Sequence, residues 1–256
     1  MFWLCYSFEK VTYILKEYFR QYFMLKNLIK DLDNFADKEK SEILQRFFKT
    51  GKGEYGEGDL FLGVTMPVQR NIAKKYLNLS LDKIQQLLKS NVHEHRMIGL
   101  IILTEKYKKG SAQDKENIFG FYLKNTKNMN NWDLVDVTCP GIVGDFLLGR
   151  DKKILYDLAN SNDLWEKRIA IVSTYSFIRE KEFEDVLAIS EILLNDSHDL
   201  IHKAVGWMLR EVGKRDENVL KNFLKFHYKN MPRTMLRYAI EKFKESERKK
   251  YLLGEF

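Results

Sequence analysis

The stretch "KRIAIVSTY", Lys167 to Tyr175, sets basic residues at the head of a small, apolar, helix-forming run. Three other segments repeat the arrangement: "HRMIGLIIL" with Arg96, "HKAVGWMLR" with Lys203 and "LRYAIEKF" with Arg237. Arg168 and Lys203 are 35 residues apart, Lys203 and Arg237 are 34 apart, and Arg96 and Arg168 are 72 apart, or two units of 36. The absent member of the series falls near residue 132, where the chain reads "NWDLVD". A period near 35 with two helices per unit is the signature of an α-solenoid. The TPR consensus is missing, and basic residues leading second helices are HEAT-like. The expected fold is therefore all-α, a solenoid of HEAT-like helical repeats with a concave basic face lined by the second helices.

The rest of the chain agrees with that reading. After Met24 the apolar residues recur at three- and four-residue spacing, the helical period. Helices are expected at 37–49, 67–78, 80–90, 92–108, 112–126, 131–138, 140–148, 151–160, 164–179, 182–194, 198–214, 216–228 and 232–244. Pro67, Pro140 and Pro232 stand where first helical turns would begin, the position proline tolerates best. No segment alternates as a sheet strand does. Residues 24–256 are read as one domain. Residues 1–23 form an aromatic extension, either an unused upstream start or a short amphipathic helix packed on the first repeat.

With 45% hydrophobic residues the chain can bury a substantial core, and three prolines and fourteen glycines leave few helix breakers. The net charge of +7 suits an acidic partner such as nucleic acid, and equally suits simple solubility. Two distant cysteines, Cys5 and Cys139, make neither a disulfide framework nor a zinc spacing, which fits a reducing cytoplasm. No apolar run reaches the roughly 18 residues that a membrane span needs. The apolar start lacks the basic leader of a signal peptide.

The residues at position 132 and beyond carry the candidate chemistry. In "NNWDLVDVTCPGIVGDFLLGR", Asn131 can cap a helix, and Asp133 in its first turn suits the helix dipole. Asp136 has no such account. It shares a helix face with Trp132, four residues earlier, inside an apolar run. Either it pairs with a buried basic residue or it does chemistry. Trp207 stands between Lys203 and Arg210 on one helical face, which is the makeup of a nucleic-acid surface or of a core tryptophan with solvated charges beside it. Arg168 sits at the lip of the core, where it can serve a ligand or pair with Glu166 or another repeat's acid. The glycine-rich "TGKGEYGEGDLFLG", Thr50 to Gly63, lacks the GK[ST] of a P-loop and carries three acids, so it reads as an ordered inter-helix loop. "HDLIH" and "HEHR" do not match a metal motif, and no metal or cofactor is expected.

Taken together, "GKGEYGEGDLFLGVTMPVQR", "NNWDLVDVTCPGIVGDFLL", "LWEKRIAIVSTYSFI" and "KAVGWMLREVGKRD" resemble the DNA alkylation repair enzymes, the AlkD-like, HEAT-like-repeat alkylpurine DNA glycosylases. The resemblance runs from about Met24 to Phe243. It implies a monofunctional glycosylase that hydrolyses the N-glycosidic bond of cationic N3- and N7-alkylated purines in duplex DNA, without flipping the base into a pocket. It implies a monomer in the bacterial cytoplasm or nucleoid. By motif match, Asp136 would be the catalytic carboxylate, Trp132 and Trp207 the aromatics flanking the lesion's deoxyribose, and Arg168 a contact to the backbone near it. Lys203 and Arg210 would add phosphate contacts. Some members carry a tyrosine near the first repeat. Phe47 aligns there, and no role is carried over to it. A noncatalytic HEAT-like module that binds DNA structures or lesions is the alternative.

Overall fold

The structure, a computed structural model, describes the backbone of residues 2–255 and the side chains of residues 12–255. Cys5 and the rest of the first eleven side chains lie outside that range. The chain forms two compact units, Met1–Gly110 and Ser111–Phe256. The described residues are helical, with a single isolated β-bridge between Leu60 and Val92.

The first unit contains α1 (Phe2–Asp33), α2 (Lys38–Phe47), α3 (Met66–Lys75), α4 (Leu81–Leu88) and α5 (His93–Lys109). Helix α1 docks on α3 and α4. Its Leu28 and Leu32 are fully buried, whereas Tyr18, Phe19, Tyr22 and Phe23, a turn or more earlier, are exposed. The glycine-rich segment is an ordered loop whose acids bind the protein's own amides. Glu54 accepts from the Gly51 N–H and Glu57 from the Gly53 N–H. The buried Glu94 carboxylate gathers the N–H groups of Leu62, Gly63 and Val64 at 2.8–3.2 Å. Arg96, the first basic residue of the repeat series, is buried and bonded to Asp59 of the same loop at 2.6 Å.

The second unit contains α6 (Ala112–Lys124), a 3-10 turn (Thr126–Asn128), α7 (Trp132–Cys139), a π-helical segment (Pro140–Gly144), α8 (Asp145–Leu147), α9 (Lys153–Ala159), α10 (Leu164–Ser173), α11 (Tyr175–Arg179), α12 (Glu184–Ile192), α13 (Asp199–Gly213), α14 (Glu217–His227), α15 (Arg233–Ala239) and α16 (Glu245–Leu253). Side-chain caps start several of them. Asp163 accepts from the N–H groups of Trp165 and Glu166, Asp216 from those of Asn218 and Val219, and Ser111 forms a capping box with Asp114.

The stacking in this unit follows the 35-residue series. Helix α10 packs between α7 and α13, and α13 between α10 and α15, while α9 and α12 pack on one another behind them. Arg168 and Lys203 lie in the first half of α10 and α13, and α7 takes the place the period assigns to residue 132, but Arg237, expected to lead its helix, lies in the last turn of α15, which Arg233 opens. The fold is thus all-α, with stacked helix pairs of the solenoid kind. Its core is visible in α10, where Ile169, Ala170, Ile171 and Val172 are all fully buried. The isoleucines and the valine each contribute about 1.5–3 kcal/mol by leaving water, and the Ala170 methyl less. Helix α13 buries Ile201, Ala204, Val205, Met208, Leu209 and Val212, the three- and four-residue spacing of an amphipathic helix, and turns Lys203, Trp207 and Arg210 the other way.

Two expectations fail on boundaries. Pro140 does not begin a separate helix. The α-helix runs into it and continues as the π-helical turn, with Pro140 itself helical at φ −61°, ψ −43°. A proline in a helix has no N–H for the carbonyl four residues back, and its ring crowds that carbonyl. Here that carbonyl belongs to Asp136, and the wider π turn accommodates the proline at this point. Helix α16 was not expected, because "ESERKKYLL" is mostly charged and buries only Tyr251.

Candidate active site

All six candidate residues lie in the second unit, and the structure joins two of them. Asn131 precedes α7 in an extended conformation and accepts the Trp132 N–H at 2.8 Å, while Asp133 accepts from Leu134. Tyr122, fully buried, bonds the Thr138 hydroxyl at 3.0 Å, and Thr138 donates to the Leu134 carbonyl. Helix α7 is therefore fixed from both its start and its buried face. Trp132 and Asp136, one turn apart on it, are both partly exposed.

Asp136 is held by Arg168 from the neighbouring α10. The guanidinium donates from Nε to Oδ1 at 2.8 Å and from Nη2 to Oδ2 at 2.7 Å, a parallel two-bond grip. Its third nitrogen, Nη1, donates to the Leu200 carbonyl at the start of α13 at 2.6 Å. The Arg168 side chain is 6% exposed and that of Asp136 15%, so the pair is nearly dry, with the carboxylate keeping the larger open edge. Burial pushes the Asp136 carboxyl above its ordinary value, and the Arg168 charge and hydrogen bonds oppose that rise. Arg168 thus pairs with another repeat's acid. Glu166 instead binds Thr126 and Ser161.

Close backbone approach sets the spacing between these helices. A Cβ on Gly144 would lie 2.2 Å from the Ser173 carbonyl oxygen, and one on Gly206 would lie 2.5 Å from both the Met235 carbonyl oxygen and the Tyr238 Cβ. The Ser176 hydroxyl donates to the Pro140 carbonyl at 2.7 Å, tying the π turn to α11. Cys139 is fully buried, and burial pushes its thiol far up, so it offers no thiolate near Asp136.

The remaining candidates lie along α13. Trp207 is partly exposed and stands 6.2 Å, centroid to centroid, from Tyr175, whose other neighbour is the Arg215 guanidinium at 5.6 Å. Tyr175 and the Leu200 carbonyl are members of this neighbourhood that the sequence did not single out. A backbone carbonyl leaves no trace in residue type, and Tyr175, at the end of an apolar run, carries no local mark of a role. Lys203 pairs with Asp199 at 2.7 Å, and Arg210 with Glu241 and Glu211. No group of three or more metal-ligating side chains gathers among the described residues. Phe47, in the first unit, is 60% exposed and meets Phe48 edge-on.

A helical-repeat fold carrying a half-buried carboxylate gripped by arginine, with one tryptophan on the carboxylate's own helix and another on α13, defines a class of α-helical repeat proteins with a polar site between repeats. The sequence places the chain more narrowly. The profile of the family described as DNA alkylation repair enzyme matches residues 28–243, and the chain belongs to that family. Among solved structures it is similar to a predicted DNA alkylation repair enzyme from Enterococcus faecalis, with a TM-score of 0.63 and 14% identity over 82% of this chain and 97% of that one. It is also similar to smu.31 from Streptococcus mutans UA159, with a TM-score of 0.50 and 18% identity over 86% and 98% of the two chains. At those identities the likeness speaks to the fold. No curated protein matches the sequence.

Proposed function

We propose that the protein is a monofunctional DNA glycosylase that hydrolyses the N-glycosidic bond of cationic N3- and N7-alkylated purines in duplex DNA, with Asp136 as its catalytic carboxylate. In this reading residues 24–256 act as one domain and as a monomer, in the bacterial cytoplasm or nucleoid. Membership of the DNA alkylation repair family gives the DNA substrate. The observation that carries the rest is the Asp136–Arg168 grip, a carboxylate fixed in an apolar wall with one edge left open.

The chemistry needs little more. A 7-alkylguanine already bears positive charge and departs as a neutral base, so no general acid is required to protonate it. The barrier lies in the oxocarbenium-like sugar. A preorganised carboxylate beside C1′ stabilises that cation and orients the attacking water. Arg168 holds both oxygens in register, so the carboxylate does not reorganise as charge develops. Trp132 and Trp207 flank the deoxyribose in this reading, and their faces favour the cation by about 0.5–2 kcal/mol each. Lys203 and Arg210 supply phosphate contacts by exchanging their present acidic partners for DNA.

One observation suits the alternative, a module that binds lesions without excising them: three of the five N–H donors of Arg168 are spent within the protein, on Asp136 and the Leu200 carbonyl, an arrangement that serves a purely structural ion pair as well as a catalytic one. Binding and base release separate the two readings. Wild-type protein should free 7-methylguanine from methylated duplex DNA at enzyme concentrations where salt-sensitive binding is seen. Salt-sensitive binding with no release above spontaneous depurination would establish the binder instead.

A further inference from the structure

One polar residue beside this network has no part in the chemistry above. His198 ends the loop before α13 in an extended conformation, φ −94°, ψ 125°. Its backbone N–H donates to Asp196 Oδ1 at 2.8 Å, and its ring Nδ1 accepts the Leu200 N–H at 3.1 Å. The same Leu200 presents the carbonyl that receives Arg168 Nη1 at 2.6 Å, and Arg168 in turn holds both oxygens of Asp136. One imidazole nitrogen is therefore linked to the candidate carboxylate through a single residue's peptide groups and one guanidinium.

Helix caps are ordinarily Ser, Thr, Asp or Asn, which accept a hydrogen bond at any physiological pH. A histidine cap differs. Its Nδ1 accepts only while the ring is neutral with its proton on Nε2, and a protonated ring has donors alone. We infer that His198 is a positioning residue for the reaction at Asp136: the neutral ring caps α13 and seats the Leu200 carbonyl that anchors Arg168, and protonation of the ring breaks the cap and loosens the grip on the carboxylate. The inference rests on the reading of Asp136 as the catalytic group.

The surroundings keep the ring neutral near pH 7. Burial lowers the affinity of His198 for a proton, Asp196 and Asp199 raise it, and His202 and Arg168 lower it. Both acids are already engaged by cations, Asp196 by Lys167 and Asp199 by Lys203, each at 2.7 Å. The His202 ring is bonded to the Asp196 carbonyl at 2.5 Å. With the ring below the ordinary histidine value of about 6.5, the cap is complete above that pH and is lost as pH falls through the lowered value.

The test is single-turnover release of 7-methylguanine, corrected for spontaneous loss, between about pH 5 and pH 8, for wild type, His198→Asn and His198→Ala. Asparagine caps without titrating. The Asn variant should match wild type within about twofold at pH 8 and carry its acid limb to lower pH, so that it outpaces wild type at pH 5. The Ala variant should be slower than wild type by about fivefold at pH 8 with unchanged DNA affinity. Superposable profiles for wild type and the Asn variant, with release abolished by Asp136→Asn, overturn this inference alone. Release that survives Asp136→Asn overturns the reading beneath it. In the wild-type protein the Arg168 Nε–H resonance should move with the His198 titration, and a resonance that stays constant through that titration also overturns the coupling.

Discussion

Replacing Arg168 with methionine removes the partner of a carboxylate whose side chain is only 15% exposed, and takes the side-chain donor from the Leu200 carbonyl. Methionine keeps most of the side-chain volume, so the loss is mainly electrostatic. Breaking a buried ion pair from one side costs about 3–5 kcal/mol, because the surviving charge stays buried without compensation. The carbonyl's loss is contained within that figure. Against a typical domain stability of about 5–15 kcal/mol the cost is large. At about 2–4 °C per kcal/mol for a chain of this size, Tm should fall by roughly 6–20 °C. The deficit should depend on pH with a definite sign. Burial already raises the Asp136 pKa, and losing Arg168 raises it further. A carboxyl whose folded pKa lies above its unfolded value is destabilising when ionised, so the deficit grows as pH rises through the folded value and is smaller at pH 5 than at pH 8. Replacing both partners, Asp136→Leu with Arg168→Met, should recover most of the lost stability, as apolar substitution of a buried pair commonly does. Urea denaturation of wild type, Arg168→Met, Asp136→Leu and the double variant closes the cycle. A single Arg168→Met variant within about 1 kcal/mol of wild type at pH 8, below the cost expected for stranding a buried charge, would refute the claim that Asp136 depends on Arg168.

Three further outcomes are expected. Gly144→Ala must push the π turn away from the Ser173 carbonyl, 2.2 Å from the new Cβ, and should cost about 1–3 kcal/mol in denaturant unfolding while lowering excision. Glu94→Gln keeps the shape but forfeits the charge that gathers three loop amides, and should cost about 1–3 kcal/mol and increase proteolytic nicking between Thr50 and Gly63. Arg210→Gln should weaken DNA binding equally for methylated and unmethylated duplexes and lower the slope of log K against log salt by about 1, whereas an unchanged slope would remove Arg210 from the phosphate contacts.

Much of the helical layout was legible because its signal is periodic. The spacing of Arg168, Lys203 and Arg237 follows from one helix pair per repeat, and α10, α13 and α15 stack in that order. The same period placed "NWDLVD" in the stack as α7. Its oddity, an acid where the series carries a base, is resolved by Arg168 of the next helical repeat, in the same compact unit, reaching back to Asp136. Which acid an arginine chooses depends on helix packing, so the sequence left that open. The course of the chain at Pro140 was misread for a related reason. Proline usually marks a start, but here Gly144 of the π turn lies close against the Ser173 carbonyl, Ser176 bonds the Pro140 carbonyl, and the helix runs on. Helix α16 gave no periodic signal because a single buried residue, Tyr251, docks it. Tyr175 beside Trp207 illustrates the remaining gap, since contacts between aromatic residues 32 positions apart carry no local pattern.

The central claim is that Asp136 acts on the sugar. Single-turnover release of 7-methylguanine from methylated duplex DNA by Asp136→Asn, compared with wild type at equal DNA occupancy, tests it most directly. Asparagine preserves shape but cannot neutralise an oxocarbenium ion, so the account predicts undiminished binding and a rate lower by about 10²–10³, the scale of losing one preorganised electrostatic group. Release by the variant at the wild-type rate would contradict it.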